Sequence, residues 1–224
     1  MNRPTIAHVI SLSLLFTAPV ASQSNDSASS KHSDHAVKGA GGLPAGWTAR
    51  ADAQGDSKNI KFIIMEPGFH LTLGPATILY RKEDRVDGPF HTLATFHQMK
   101  KLEHPEGYGL FIGGQKLDGP GQAYTYFLVR SDGKFNIKRR DGEKLSQYTD
   151  GWESDPAVKK TDAKGTSTNT LEIDAKIDPK RVSFKVNGKE VHWVPAHMLE
   201  AKGMVGLRAN HNLDLHVEGF AVHK

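Results

Sequence analysis

Three residues near the end of the chain carry donor atoms that a divalent ion accepts: His211, Asp214 and His216, with Asn210 and Asn212 beside them. Neutral imidazoles and a carboxylate suit zinc or a similar cation. The period of two along a strand puts Asp214 and His216 on one side and Leu213, Leu215 and Val217 on the other. His211, in the preceding turn, is placed to swing toward the first pair. The spacing matches no specific metal motif, so exposed or structural polar residues are the competing reading. Asp118, Asp150 and Asp155 fall in loops and would suit calcium, which prefers oxygen ligands. His91 and His97 share a strand face but stand about 20 Å apart, too far to hold one ion together.

A second group has the make-up of a ligand surface. Tyr124 and Tyr126 share one strand face with Leu128 and Arg130, and Asn136, Lys138 and Arg140 line one side of the next strand. Trp152 sits in the polar stretch that follows. Flat rings with polar groups around them are what a small polar ligand needs, although alternating tyrosines also serve as core residues with satisfied hydroxyls. Acid–base chemistry on a glycosidic bond needs two carboxylates about 5 to 9 Å apart. Asp214 and Glu218 share a strand side but are about 13 Å apart by strand rise, too wide for either stereochemical course. Ser131 and Ser183 have no partner that would make a nucleophile. Gly113-Gly114-Gln115 lacks the lysine of a phosphate-cradling loop.

The elements that position these residues are strands. Arg181 to Val191 alternates, with Val182, Phe184 and Val186 on one side, and Asn187-Gly188 supplies the two positive-φ positions of a tight hairpin. Ser131-Asp132-Gly133-Lys134 predicts another hairpin between Ala123–Arg130 and Lys134–Arg140. Further strands are expected over 60–65, 69–73, 76–81, 90–99, 108–113, 170–175, 204–209 and 213–222. Pro195 confines 192–199 to an edge, with a short helical turn over 196–199. Residues 145–168 read as a long irregular loop. No helix of three turns is predicted after the N-terminus, and the turn-punctuated strands predict an all-β, two-sheet antiparallel sandwich.

Residues 1–22 resemble a processing signal, with Arg3 before a short apolar run and small residues at Ala21 and Ser22. Residues 23–42 are rich in Ser, Ala, Gly, Asp and Lys and read as a flexible linker. Residues 43–224 make one domain, opened by Trp47 as an anchor. The chain has no cysteine, which excludes disulfides, iron–sulfur clusters and thiolate zinc sites. Its formal charge of +4, with both signs interspersed, does not describe a nucleic-acid protein. No stretch after the signal is a membrane span.

The tail is more specific. It runs Asn169-Thr-Leu-Glu-Ile, Val182-Ser-Phe-Lys-Val-Asn-Gly-Lys-Glu-Val191, Gly203-Met-Val-Gly-Leu-Arg208 and Leu213 to Val222. With Glu106 to Gly114 and Tyr124 to Arg130, it resembles the concanavalin A-like lectin/glucanase superfamily, and is similar to secreted domains related to 3-keto-disaccharide hydrolases. That resemblance covers about two-thirds of the chain. It implies a jelly roll that meets glycans on one sheet, and it carries the lectin-like calcium expectation. The carboxylate strand of retaining glucanases has no counterpart here. The expectation is therefore an exported or periplasmic glycan-binding module, with a polysaccharide or oligosaccharide as partner. Tyr124, Tyr126, Arg130 and Trp152 would bind, with Asn136, Lys138 and Arg140 as polar partners. A glycoside hydrolase or related sugar-processing enzyme, and a structural or protein-interaction module of the cell envelope, are the alternatives.

Overall fold

The computed structural model describes residue 36, residues 41–52 and residues 57–224. The expected signal segment, and all of the linker but Ala36, Gly41 and Gly42, lie outside the described residues. Fifteen strands follow in order: β1 (Trp47–Ala51), β2 (Ile60–Ile64), β3 (Phe69–Leu73), β4 (Thr77–Arg81), β5 (His91–Gln98), β6 (Gly107–Gln115), β7 (Ala123–Arg130), β8 (Lys134–Asp141), β9 (Lys144–Gln147), β10 (Glu153–Ser154), β11 (Ser167–Asp174), β12 (Arg181–Val186), β13 (Lys189–Pro195), β14 (Met204–Ala209) and β15 (Asp214–His223). They build two antiparallel sheets. The first runs β1-β4-β14-β6-β7-β8-β10, with β9 also paired to β8, and the second runs β13-β12-β11-β5-β15-β3-β2. The expected all-β sandwich is the observed architecture. Among the described residues no helix is long and apolar enough to cross a membrane.

The alternating sequences dictate how the sheets pack. β5 turns Thr92, Ala94, Phe96 and Gln98 inward and leaves His91, Leu93, Thr95 and His97 half-buried outside. Ring contacts join the layers: Phe127 of β7 meets Phe184 of β12 at 5.4 Å, and Phe96 of β5 meets Tyr108 of β6 at 5.5 Å. Trp47 lies 5.1 and 5.3 Å from Phe62 and Phe69 across the sandwich, the anchoring role expected of it. Each such side chain contributes roughly 1.5–3 kcal/mol on burial.

The turns follow their residues. Asn187 and Gly188 take φ of 51° and 79°, the left-handed pair that closes β12 to β13. The β7–β8 connection is a three-residue loop, because Arg130 pairs Lys134, and its left-handed position is Gly133 at φ 84°. Pro195 ends β13 on the sheet edge, and Ala196–Met198 forms the short helical turn. One expectation is corrected. Residues 145–168 are not irregular throughout: β9 and β10 both add to the edge formed by β8. All four residues of β9 are exposed, so no apolar alternation marks that strand, which is held by backbone hydrogen bonds.

Candidate functional site

The face of the first sheet turned away from the sandwich is itself largely buried. Register places two rows across it. One is Arg50, Ile78, Arg208, Gly109, Leu128 and Asn136; the other is Thr48, Tyr80, Gly206, Phe111, Tyr126 and Lys138. Ile78, Tyr80, Phe111, Leu117, Tyr124, Tyr126 and Leu128 make a second apolar cluster there, with Trp152 and Met204 packed at its margins. Gly206 makes room for it: a Cβ at that position would come within 2.7 Å of the Phe111 ring.

An ionic centre is set into this face. Arg208 clamps the Asp52 carboxylate with both guanidinium nitrogens, at 2.7 and 2.5 Å, and Arg140 reaches the same carboxylate at 3.0 Å. The Arg208 guanidinium also lies over the Tyr126 ring, 5.7 Å from its centroid. Burial pushes the Asp52 carboxyl up, but Arg208, Arg140 and His211 outweigh it and hold the group below the usual carboxylate range. Burial works against the charge on Arg208, and Asp52 more than restores it. Burial raises both neighbouring phenols, Tyr126 to about 12.

Beside the cluster a cleft of about 380 Å³ opens on the same face. Tyr80, Leu117 and Met204 supply its apolar lining, and Thr48, Gln115 and Asp118 supply polar groups. Lys82, Arg85 and Lys116 complete its walls. Arg50 ties down the loop on one side, donating from Nη2 to the Gly119 carbonyl at 3.1 Å. Burial raises the Tyr80 hydroxyl, Asp118 raises it further, and Arg50 opposes them. This combination of apolar floor and convergent polar groups is the usual character of a small-ligand site.

The residues expected to bind lie on this face, but most serve beneath it. Neither Tyr124 nor Tyr126 lines the cleft, and their rings pack against Phe111 and each other. Asn136 is buried and donates to the Gly151 carbonyl at 2.6 Å. Arg140 belongs to the ionic centre. Arg130 makes a two-pronged contact with Asp132, 2.8 Å on each prong, and stacks on Trp152 at 4.4 Å. Lys138 stands opposite Tyr126. Tyr80, Asp52 and Arg208 were not singled out by sequence. The available signal was Ile78 and Tyr80 sharing a side of one strand, but β4 is buried on both sides, which hides that alternation.

The outer face of the second sheet is of another kind. His70 meets Asp214 at 2.6 Å, while His97 and His216 converge on one Glu218 oxygen at 3.4 and 3.2 Å. Met65, Glu66 and Met99 join these three histidines and Glu218 around a pocket of about 300 Å³. The expected trio of His211, Asp214 and His216 is not gathered round one point. Asp214 is engaged by His70 and Lys100, whereas His211 acts electrostatically on Asp52, just beyond β1. Among the described residues no group of three or more His, Asp or Glu is arranged to hold a metal ion. Of the loop aspartates, Asp118 lines the Tyr80 cleft and Asp155 accepts from Lys189 at 3.1 Å.

No family model and no curated protein matches the chain. Solved structures match its fold. A carbohydrate-binding module, CBM66, from Bacillus subtilis aligns over 80 % of this chain and 96 % of its own, with TM-score 0.56 and 12 % identity. A Bacillus subtilis protein of unknown function with a galectin-like fold aligns over 79 % and 88 %, with TM-score 0.51 and 14 % identity. An endo-β-1,3-glucanase from Pyrococcus furiosus aligns over 80 % and 88 %, with TM-score 0.51 and 11 % identity. The chain therefore has the galectin-like, concanavalin A-like sandwich fold.

Proposed function

We propose that this chain is an exported glycan-binding module whose ligand lies in the Tyr80 cleft on the outer face of the first sheet. The observation that carries the reading is the cleft itself. Tyr80, Leu117 and Met204 give it an apolar floor, and Thr48, Gln115, Lys82, Arg85 and Asp118 surround that floor with donors and acceptors. A pyranose presents an apolar face and a rim of hydroxyls, the complement of this lining. The residues first expected to bind are supports in this account: Tyr124 and Tyr126 hold the floor from below, and Trp152 with Arg130 closes the far margin of the apolar cluster. The fold shared with a carbohydrate-binding module and a glucanase agrees with the reading. A closer relation to 3-keto-disaccharide hydrolases, and the export suggested by residues 1–22, belong to the same proposal.

Binding is favoured over hydrolysis because, among the described residues, Asp118 is the one carboxylate lining the cleft, whereas glycoside hydrolysis needs two carboxyl groups flanking the scissile bond. The test is a glycan array followed by calorimetric titration of the best ligand, with Tyr80→Ala and Trp152→Ala compared. The reading expects a saccharide bound by the parent chain and weakened roughly tenfold or more by Tyr80→Ala, the loss of one well-buried contact. Failure of the parent to bind any saccharide contradicts it.

A further inference from the structure

The charges around the Tyr80 cleft are unequal. Among the described residues, Lys82, Arg85 and Lys116 line it, against the single carboxylate of Asp118. Arg85 also touches Asp87 at 3.1 Å, an exposed contact that solvent screens. A fourth cation stands behind the wall: Arg50 lies close enough to influence the Tyr80 hydroxyl. Its Nη2 is used by the Gly119 carbonyl, while its buried Nη1 has no hydrogen-bond partner. Like charges gathered on one wall repel each other until a counter-charge enters.

The cationic wall is relieved by an anionic group over the apolar floor, and Arg50, which does not line the cleft, adds its charge from behind. Resting on the reading that the cleft binds a glycan, we propose that its ligand is an acidic carbohydrate, a sugar bearing a carboxylate or a sulfate. Lys82, Arg85 and Lys116 face the anionic group, and Tyr80, Leu117 and Met204 lie under the ring. The partition is chemical. Sugar hydroxyls satisfy Thr48, Gln115 and Asp118 equally well in neutral and acidic sugars, but only an anion gains from the cationic wall, because hydrogen bonds to a charged acceptor are roughly twice as strong as neutral ones. Asp118 sets the polarity of the site by repelling the anion from its own side.

The experiment is calorimetric titration of the full chain with matched pairs of oligomers. Oligogalacturonate is set against its methyl ester, which keeps the backbone and removes the charge, and sulfated galactan oligomers are set against unsulfated ones. The acidic member is expected to bind about tenfold more tightly at low salt, the difference between a charge-assisted and a neutral hydrogen bond. That advantage should shrink in about 0.5 M NaCl, where the screening length falls to a few ångströms. The double variant Lys82→Gln/Lys116→Gln, at two exposed positions, should lower the acidic member's affinity much more than the neutral member's, so that the advantage is abolished. Tyr80→Ala should weaken both. A preference confined to one series identifies carboxylate or sulfate as the anion. Equal affinities within every pair, still dependent on Tyr80, overturn the acidic assignment and leave the glycan reading standing. No binding to any oligomer overturns the glycan reading itself. Tighter acidic binding that survives both the double variant and Tyr80→Ala puts the anion elsewhere and overturns the proposal.

Discussion

The two sheets turn opposite kinds of outer face away from the shared core. The second sheet shows solvent a half-buried array of His70, His91, His97, His216, Glu172 and Glu218, each in contact with a group of opposite charge type on its own or the neighbouring strand. The first sheet hides an apolar cluster and a buried Asp52–Arg208 pair beneath its outer surface. Pairs that keep this much contact with water are worth little individually. A face that buries an ion pair outside the main core carries a desolvation cost, and such cost is expected where a site must be held rigid. This contrast is the ground for proposing the site on the first sheet.

The sharpest way to break that contrast is to remove one side of the buried pair. Asp52→Ala leaves the 6 %-exposed Arg208 side chain uncompensated, and the expected loss is about 3–5 kcal/mol in denaturant unfolding. Glu218→Gln on the other sheet removes a partner of two half-exposed histidines, and its expected cost is below about 1 kcal/mol. Equal costs for the two variants would erase the distinction between the faces.

Titration sharpens it from both ends of the pH scale. Tyr126 has its folded value raised to about 12 from 10.0. Its contribution to stability is therefore fully present below pH 10 and lost as pH rises through the folded value, amounting to about 3 kcal/mol for a displacement of this size. Tyr126→Phe should flatten that alkaline decline. Asp52 runs the other way. Its folded value is depressed, so its contribution is present above the unfolded carboxylate value and disappears as pH falls through the folded one. Asp52→Asn, though destabilised at neutral pH, should lose less further stability on acidification than the parent in unfolding curves at stepped pH.

The same contrast explains what the sequence disclosed. Strands buried on one side alternate visibly. β5 and β15 could be assigned residue by residue, and the Asn187-Gly188 turn gave its hairpin away. β4, β6 and β7 are buried on both faces, so neither face stands out and Tyr80 passed as one more strand residue. Tyr124, Tyr126, Asn136 and Arg140 were correctly placed on one face because a period of two decides that from the sequence. Their depth was not legible, since it depends on Phe111, Ile78 and Arg208 arriving from strands distant in the chain. Asp52 was equally silent. Its partners Arg208 and Arg140 lie far along the sequence, and no local pattern links them.

The account stands most directly on where a saccharide touches the chain. Amide chemical-shift mapping of the full chain, titrated with the tightest-binding oligosaccharide, reads this without any substitution. The account predicts the largest changes at Thr48, Tyr80, Gln115, Lys116 and Met204, with His97, His216 and Glu218 undisturbed. Changes concentrated on the histidine face, with the Tyr80 cleft silent, would contradict it.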